Sequence, residues 1–174
     1  MQSMDNKYIT ISYNNKDYVI NKADSLNDLI SRGELLKLPM SCWREIFEKK
    51  DGTCRYRTML KVLEACIYAY DTSDNVNIFY YKNVPCWLDK NTRVGLYHLA
   101  TCSPEHVTVA LGTEIITLPV EHAKAFLAAL EVYAGECYLM TAKHLIAIKE
   151  LKSIEDIVNY DYTKGYPDKI SLNE

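Results

Sequence analysis

The stretch PVEHAKAFLAALEVYAGECYLMTAKHLIAIKEL, residues 119–151, constrains the fold more than any other part of the chain. Its only proline is the first residue, the position where a helix tolerates one. Positions 120, 127, 134, 141 and 148 are Val, Leu, Ala, Thr and Ile. Positions 123, 130, 137, 144 and 151 are Ala, Leu, Cys, His and Leu. A third row, Phe126, Tyr133, Met140 and Ala147, runs beside them. The spacing predicts one long helix over 119–151, with an apolar stripe wider than a two-stranded coiled-coil seam. Such a helix packs on its own hairpins along one edge and can meet a second copy along the other. Phe126, Leu130, Tyr133, Cys137 and Met140 are the residues expected at that self-association edge. Gly135, in mid-helix, costs about 1 kcal/mol against alanine and marks a close crossing by another backbone.

The rest of the chain reads as short strands and helices, so the fold class is α+β. KYITISYNNKDYVIN alternates, with Tyr8, Thr10 and Ser12 on one side and Ile9, Ile11 and Tyr13 on the other. Asn14-Asn15 breaks the alternation as a tight turn, because asparagine tolerates positive φ. Ser25 caps a short helix that Gly33 ends. Ser41 is the expected cap of a second helix, CWREIFEKK, stopped at Asp51-Gly52. A third helix carries Tyr56, Met59, Leu60, Leu63, Ile67 and Tyr70 on one face, with Arg55, Arg57 and Lys61 in solvent. The polar run DTSDN, residues 71–75, is the best boundary. It divides a hairpin-plus-helices docking part, 1–72, from a second part, 73–174, of two β-hairpins packed on the long helix. The hairpins turn at Lys82-Asn83 and Gly112-Thr113. Ser153 caps a last short helix, IEDIVNY, and the tail docks as an extended strand.

CWLDKNTRVGL, Cys86 to Leu96, crowds polar and aromatic residues into a short space. Asp89 falls where strand spacing gives way to helical spacing, so it reads as an N-cap, worth about 1 kcal/mol. Trp87 packs under the hairpin, and Arg93, four residues after Asp89, can pair with it or with a neighbouring carboxylate. Thr92 has no adjacent histidine, so the cluster holds no nucleophile–base pair. The most metal-like set is Cys86, His98, Cys102 and His106, of which only His98 and Cys102 share helical spacing. The set is read as unmetallated, and His144 as a buried, hydrogen-bonded histidine. The six glycines are isolated, which excludes a glycine-rich phosphate loop. The net charge of −3 argues against nucleic-acid binding. No apolar run reaches membrane-span length, and the expected cofactor list is empty. The six cysteines include no CxxC pair and read as reduced thiols of a cytoplasmically folded protein. Fourteen tyrosines against three phenylalanines fit either a core with wet edges or a large contact surface.

Three segments carry a resemblance: SDNVNIFYYKNVPCWLDKNTRVGL; the hairpin followed by LPVEHAKAFLAALEVYAGECYLMTAKH; and IEDIVNYDYTKGYPDKISL. Together, over residues 73–172, they resemble a domain of unknown function from phages and prophages of gut Bacteroidales. Its proteins are described as virion structural or tail-fibre-associated, and the composition fits the crAss-like group. The resemblance implies a non-enzymatic virion component of a tailed phage: an oligomeric adaptor or subunit of a head or tail fibre. It would be made in the host cytoplasm and carried on the particle. Its expected partners are itself, as a dimer first and a trimer next, and other capsid, tail or fibre proteins. The competing expectation is a cytoplasmic phage protein that never enters the particle. That protein would be a regulator, an assembly chaperone or a small metal-dependent enzyme using the cysteine–histidine set.

Overall fold

A computed structural model describes residues 7–102 and 105–172. The protein is mixed α and β, with small sheets and a long helix. It divides into two compact units. The first is built from Met1–Tyr70 and Ala142–Lys164, and the second from Asp71–Thr141 and Gly165–Glu174. The sequence division at 72/73 runs the second part unbroken to residue 174. In the structure, 142–164 belongs with the N-terminal residues instead. The reason is that Ile148 and Ile157 bury their side chains in the first unit's core.

In the first unit, β1 (Tyr8–Tyr13) and β2 (Lys16–Asn21) pair antiparallel, with Ile11 opposite Tyr18 and Ile9 opposite Ile20. Asn14 and Asn15 both have positive φ, 49° and 59°, as a type I′ hairpin turn requires. Ile9, Ile11 and Ile20 are buried, while Tyr8, Thr10 and Ser12 are exposed. Helix α1 (Leu26–Ser31) opens with a capping box between Ser25 and Asp28. Helix α2 (Met40–Asp51) starts one residue before Ser41. Pro39 holds the N-cap position, with no side-chain bond. Gly52 at φ 73° is its left-handed C-cap. Helix α3 (Tyr56–Asp71) buries Met59, Val62, Leu63, Cys66 and Ile67. Helix α6 (Ile154–Asn159) has its own capping box, Ser153 with Asp156. Trp43, Ile46, Leu29 and Leu63 are fully buried in this core. Each large apolar side chain there contributes about 1.5–3 kcal/mol.

In the second unit, β3 (Phe79–Tyr81) and β4 (Val84–Cys86) form a hairpin shorter than its sequence pattern. Lys82 and Asn83 turn it at φ 49° and 62°. The tail returns as β7 (Ser171–Leu172), parallel to β3. Helix α4 (Lys90–Cys102) follows the first hairpin. Ser103 and Pro104, where the sequence pattern stops that helix, lie outside the described residues. Strands β5 (His106–Leu111) and β6 (Glu114–Pro119) pair across Gly112-Thr113, with Gly112 at φ 59°.

The long helix, α5, spans Val120–Ala147 and ends in a 3₁₀ turn, Ile148–Glu150. Pro119 is the last residue of β6, opposite His106, rather than a helical residue. A proline at a strand end gives up no ladder donor, and the next amide, Val120 N–H, bonds Glu105 O at 2.9 Å. Phe79, Leu88, Val109, Leu111, Leu127 and Leu130 form this unit's core. Phe79 meets Phe126 edge-on, with ring centroids 5.6 Å apart.

Candidate functional site

The corner at 86–96 is built from local bonds. Asp89 Oδ1 accepts from Thr92 N–H at 3.0 Å, and Asp89 Oδ2 accepts from the Thr92 hydroxyl at 2.7 Å. These bonds hold the Asp89 carboxyl below the usual range, the Thr92 side chain first. Arg93 is only 5% exposed. Its Nε donates to Glu131 Oε1 at 2.6 Å and its Nη1 to Leu88 O at 2.6 Å. Its guanidinium carbon sits 5.2 Å from the Trp87 ring centroid, a cation–π distance. Trp87 also meets Tyr133 edge-on at 6.3 Å. Asp89, Thr92 and Arg93 are thus engaged in bonds that hold the strand-to-helix corner.

Beside this corner lies an open cleft of about 250 Å³, lined by Asp71, Asn77, Trp87, Lys90, Cys137 and Tyr138 among others. Asp71 and Asn77 of its lining also serve the fold. Asp71 Oδ1 accepts from the Thr141 hydroxyl at 2.6 Å, and Asp71 O accepts from Asn77 Nδ2 at 3.1 Å. The cleft is below the usual ligand-site range of roughly 300–1,000 Å³. The cysteine–histidine set is dispersed. His98 Nε2 and Cys102 Sγ come within 3.9 Å on the exposed face of α4. Cys86 is buried in β4, and His106 opens β5 with Glu105 at 4.0 Å. Among the described residues, no group of three His, Cys, Asp or Glu is placed to hold a metal ion. His144 is buried in the first unit, with Nδ1 2.8 Å from Tyr160 OH and Nε2 2.9 Å from Lys164 O.

Of the five expected self-association residues, three are buried and Phe126 and Met140 are half-buried. Leu130, Tyr133 and Cys137 are buried in the second unit. Tyr133 OH donates to Val76 O at 2.7 Å, and burial raises the Cys137 thiol pKa. Phe126 packs on Phe79. Met140 lies against Gly165, where a Cβ would stand 2.7 Å from the Met140 methyl carbon. Among the described residues nothing lies within 4 Å of the Gly135 Cβ position, and none of their backbone crosses there. Leu127 and Leu130 of these rows are covered by Phe79, Val109 and Leu111 of the hairpins, while Ala147 at the end of the third row is exposed.

What remains outside is a second set. Val94 and Tyr97 of α4 are 56% and 50% exposed, and Val132, Tyr138 and Leu139 of α5 are 62%, 69% and 57% exposed. Between the two helices runs a groove of about 350 Å³, lined by Arg93, Val94, Tyr97, Leu127, Ala128 and Glu131. Sequence reasoning passed over these residues because it assigned one broad stripe to α5. The available signal was Ala125, Val132, Leu139 and Ile146, a further seven-residue row opposite the first. A second apolar cleft of about 350 Å³ is lined by Tyr81, Leu111, Ile116, Leu118, His122, Phe126 and Leu172.

Compared with known proteins, the chain matches no family model, no curated protein and no solved structure.

Proposed function

We propose that this chain is a non-enzymatic virion structural protein of a tailed phage, an oligomeric adaptor or subunit of a head or tail fibre. The observation that carries the reading is the exposed apolar groove and ridge between α4 and α5. An exposed apolar patch at the upper end of what a monomer carries is often functional. Asp89, Thr92 and Arg93 of the corner are committed to local bonds, and binding is the activity this geometry favours. The resemblance of residues 73–172 to a phage domain supplies the setting. In that setting the first part docks, and the second part, two hairpins on a long helix, is the structural module. Its partners are itself and other capsid, tail or fibre proteins, with no nucleic acid and no membrane. Among the described residues, no helix is long and apolar enough to cross a membrane.

Mass spectrometry of purified particles, with heads and tails separated, tests the reading. Many copies in one fraction are expected and assign the location. Absence from particles, with abundance in infected cells, overturns it in favour of a regulatory, chaperone or enzymatic protein. Stoichiometric zinc on the purified chain favours the enzymatic version of that alternative.

A further inference from the structure

We propose that the α4–α5 face is a homodimer interface, closed by a second copy of this chain across a two-fold axis near Val132. This deepens the oligomeric-adaptor reading and rests on it only for the biological setting. The face carries both halves of a self-complementary contact. Val132 and Leu139 form a ridge along α5, Tyr138 stands on its flank beside the first cleft, and the groove lined by Val94, Tyr97, Ala128 and Glu131 runs beside it. In an isologous interface each copy offers the same patch, so the ridge of one copy enters the groove of the other, and the reverse. Among the described residues nothing stands within 4 Å of the Gly135 Cβ position. The backbone there is open to close approach by the partner helix.

Area favours this occupant. From their fractional exposures, the five large side chains Val94, Tyr97, Val132, Tyr138 and Leu139 present on the order of 600 Å² per copy. A standard stable interface takes about 800 Å² from each partner, and the flanking alanines and Gly135 backbone add to the patch. The same patch is at the upper end of what a typical monomer leaves in water. At the groove, Glu131 is already paired with Arg93 at 2.6 Å. At that point of the groove the Arg93–Glu131 pair brings no unpaired charge, and Glu136, exposed one helical turn from Val132 and Leu139, stands at the edge of the patch.

Sedimentation of the full chain over a range of concentrations is the test. The expected species has twice the mass of the 20.0 kDa chain. Val132→Glu and Leu139→Lys, both at exposed positions, are expected to raise the dissociation constant at least ~100-fold, since each buries a charge in an apolar contact. Ile115→Glu, at an exposed β6 position, is expected to leave the dimer intact. Far-UV circular dichroism confirms that each variant folds. A wild-type chain that stays monomeric at about 100 µM, far above typical specific affinities, overturns the interface. So does a dimer that survives both substitutions unchanged. A monomer that is nevertheless abundant in particles overturns only this inference. A dimer absent from particles overturns only the virion role.

Discussion

Arg93 is a buried charged residue of the second unit whose loss should be costly. Its guanidinium is buried and does three things at once: it donates to Leu88 O, pairs with Glu131 and covers Trp87. Leu88 is itself buried, so removing the donor leaves its carbonyl without that bond, at about 1.5–2 kcal/mol. The Glu131 side chain is 49% exposed, so solvent screening holds the ion pair below about 1 kcal/mol. The contact with Trp87 adds about 0.5–1 kcal/mol. Arg93→Ala should therefore cost about 3 kcal/mol. Arg93→Lys keeps the charge without the planar fork and should cost about half of that. Glu131→Gln should cost under about 1 kcal/mol.

Urea unfolding measures these costs, and the two tryptophans separate the units. Trp43 lies in the first core and Trp87 in the second unit. Trp43 Nε1 is buried with no hydrogen-bond partner among the described residues, so Trp43→Phe loses no bond seen there and leaves Trp87 as the reporter. With a slope of about 1–1.5 kcal/mol per molar for a unit of this size, Arg93→Ala should lower the midpoint by about 2 M. Running each variant at two protein concentrations shows any contribution from association. A loss under about 0.5 kcal/mol for Arg93→Ala refutes the reasoning, because such values belong to ordinary surface positions. A loss for Glu131→Gln as large as for Arg93→Ala refutes the ranking of the carbonyl bond above the ion pair.

Leu130→Ala should destabilise the second unit by about 3 kcal/mol, read by the same assay, because Leu130 is fully buried among Phe79, Leu111 and Leu127. Timed alkylation with mass spectrometry should label exposed Cys102 first. Cys66, whose thiol burial pushes up to about 12, and buried Cys86 and Cys137 should label only on unfolding. Labelling of Cys137 at the Cys102 rate would contradict the inward face of α5. Asp28, Asp89 and Asp156 are all held below the usual aspartate pKa by cap bonds from Ser25, Thr92 and Ser153. Their contribution is present above an unfolded value of about 3.9 and is lost as pH falls below it through the lower folded values. Thermal midpoints measured from pH 6 to 2 should fall less steeply below about pH 4 when all three are asparagine. An unchanged slope would mean the caps are not titrating as the structure requires.

Local features were legible in the residues themselves. Asn14-Asn15, Lys82-Asn83 and Gly112-Thr113 turn where the alternation breaks. Ser25, Asp89 and Ser153 accept from the helices they precede. Each depends on atoms within a few residues, so the order of side chains suffices to specify it. Two local expectations gave way to neighbours. Pro39 took the cap position expected of Ser41, and β6 retained Pro119.

The sequence by itself determined the turns, the caps and the existence of one long helix. It did not determine which side of that helix faces in. Apolar side chains occur on both the Leu130–Cys137 side and the Val132–Leu139 side of α5, so periodicity alone has two solutions. Tertiary packing chose between them, because Phe79, Leu88, Val109 and Leu111 cover Leu127 and Leu130 and leave Val132 and Leu139 in water. The same non-local choice carried residues 142–164 to the first unit and set β7 parallel to β3. Burial is a property of what arrives from far along the chain, and no window of sequence around a residue contains it.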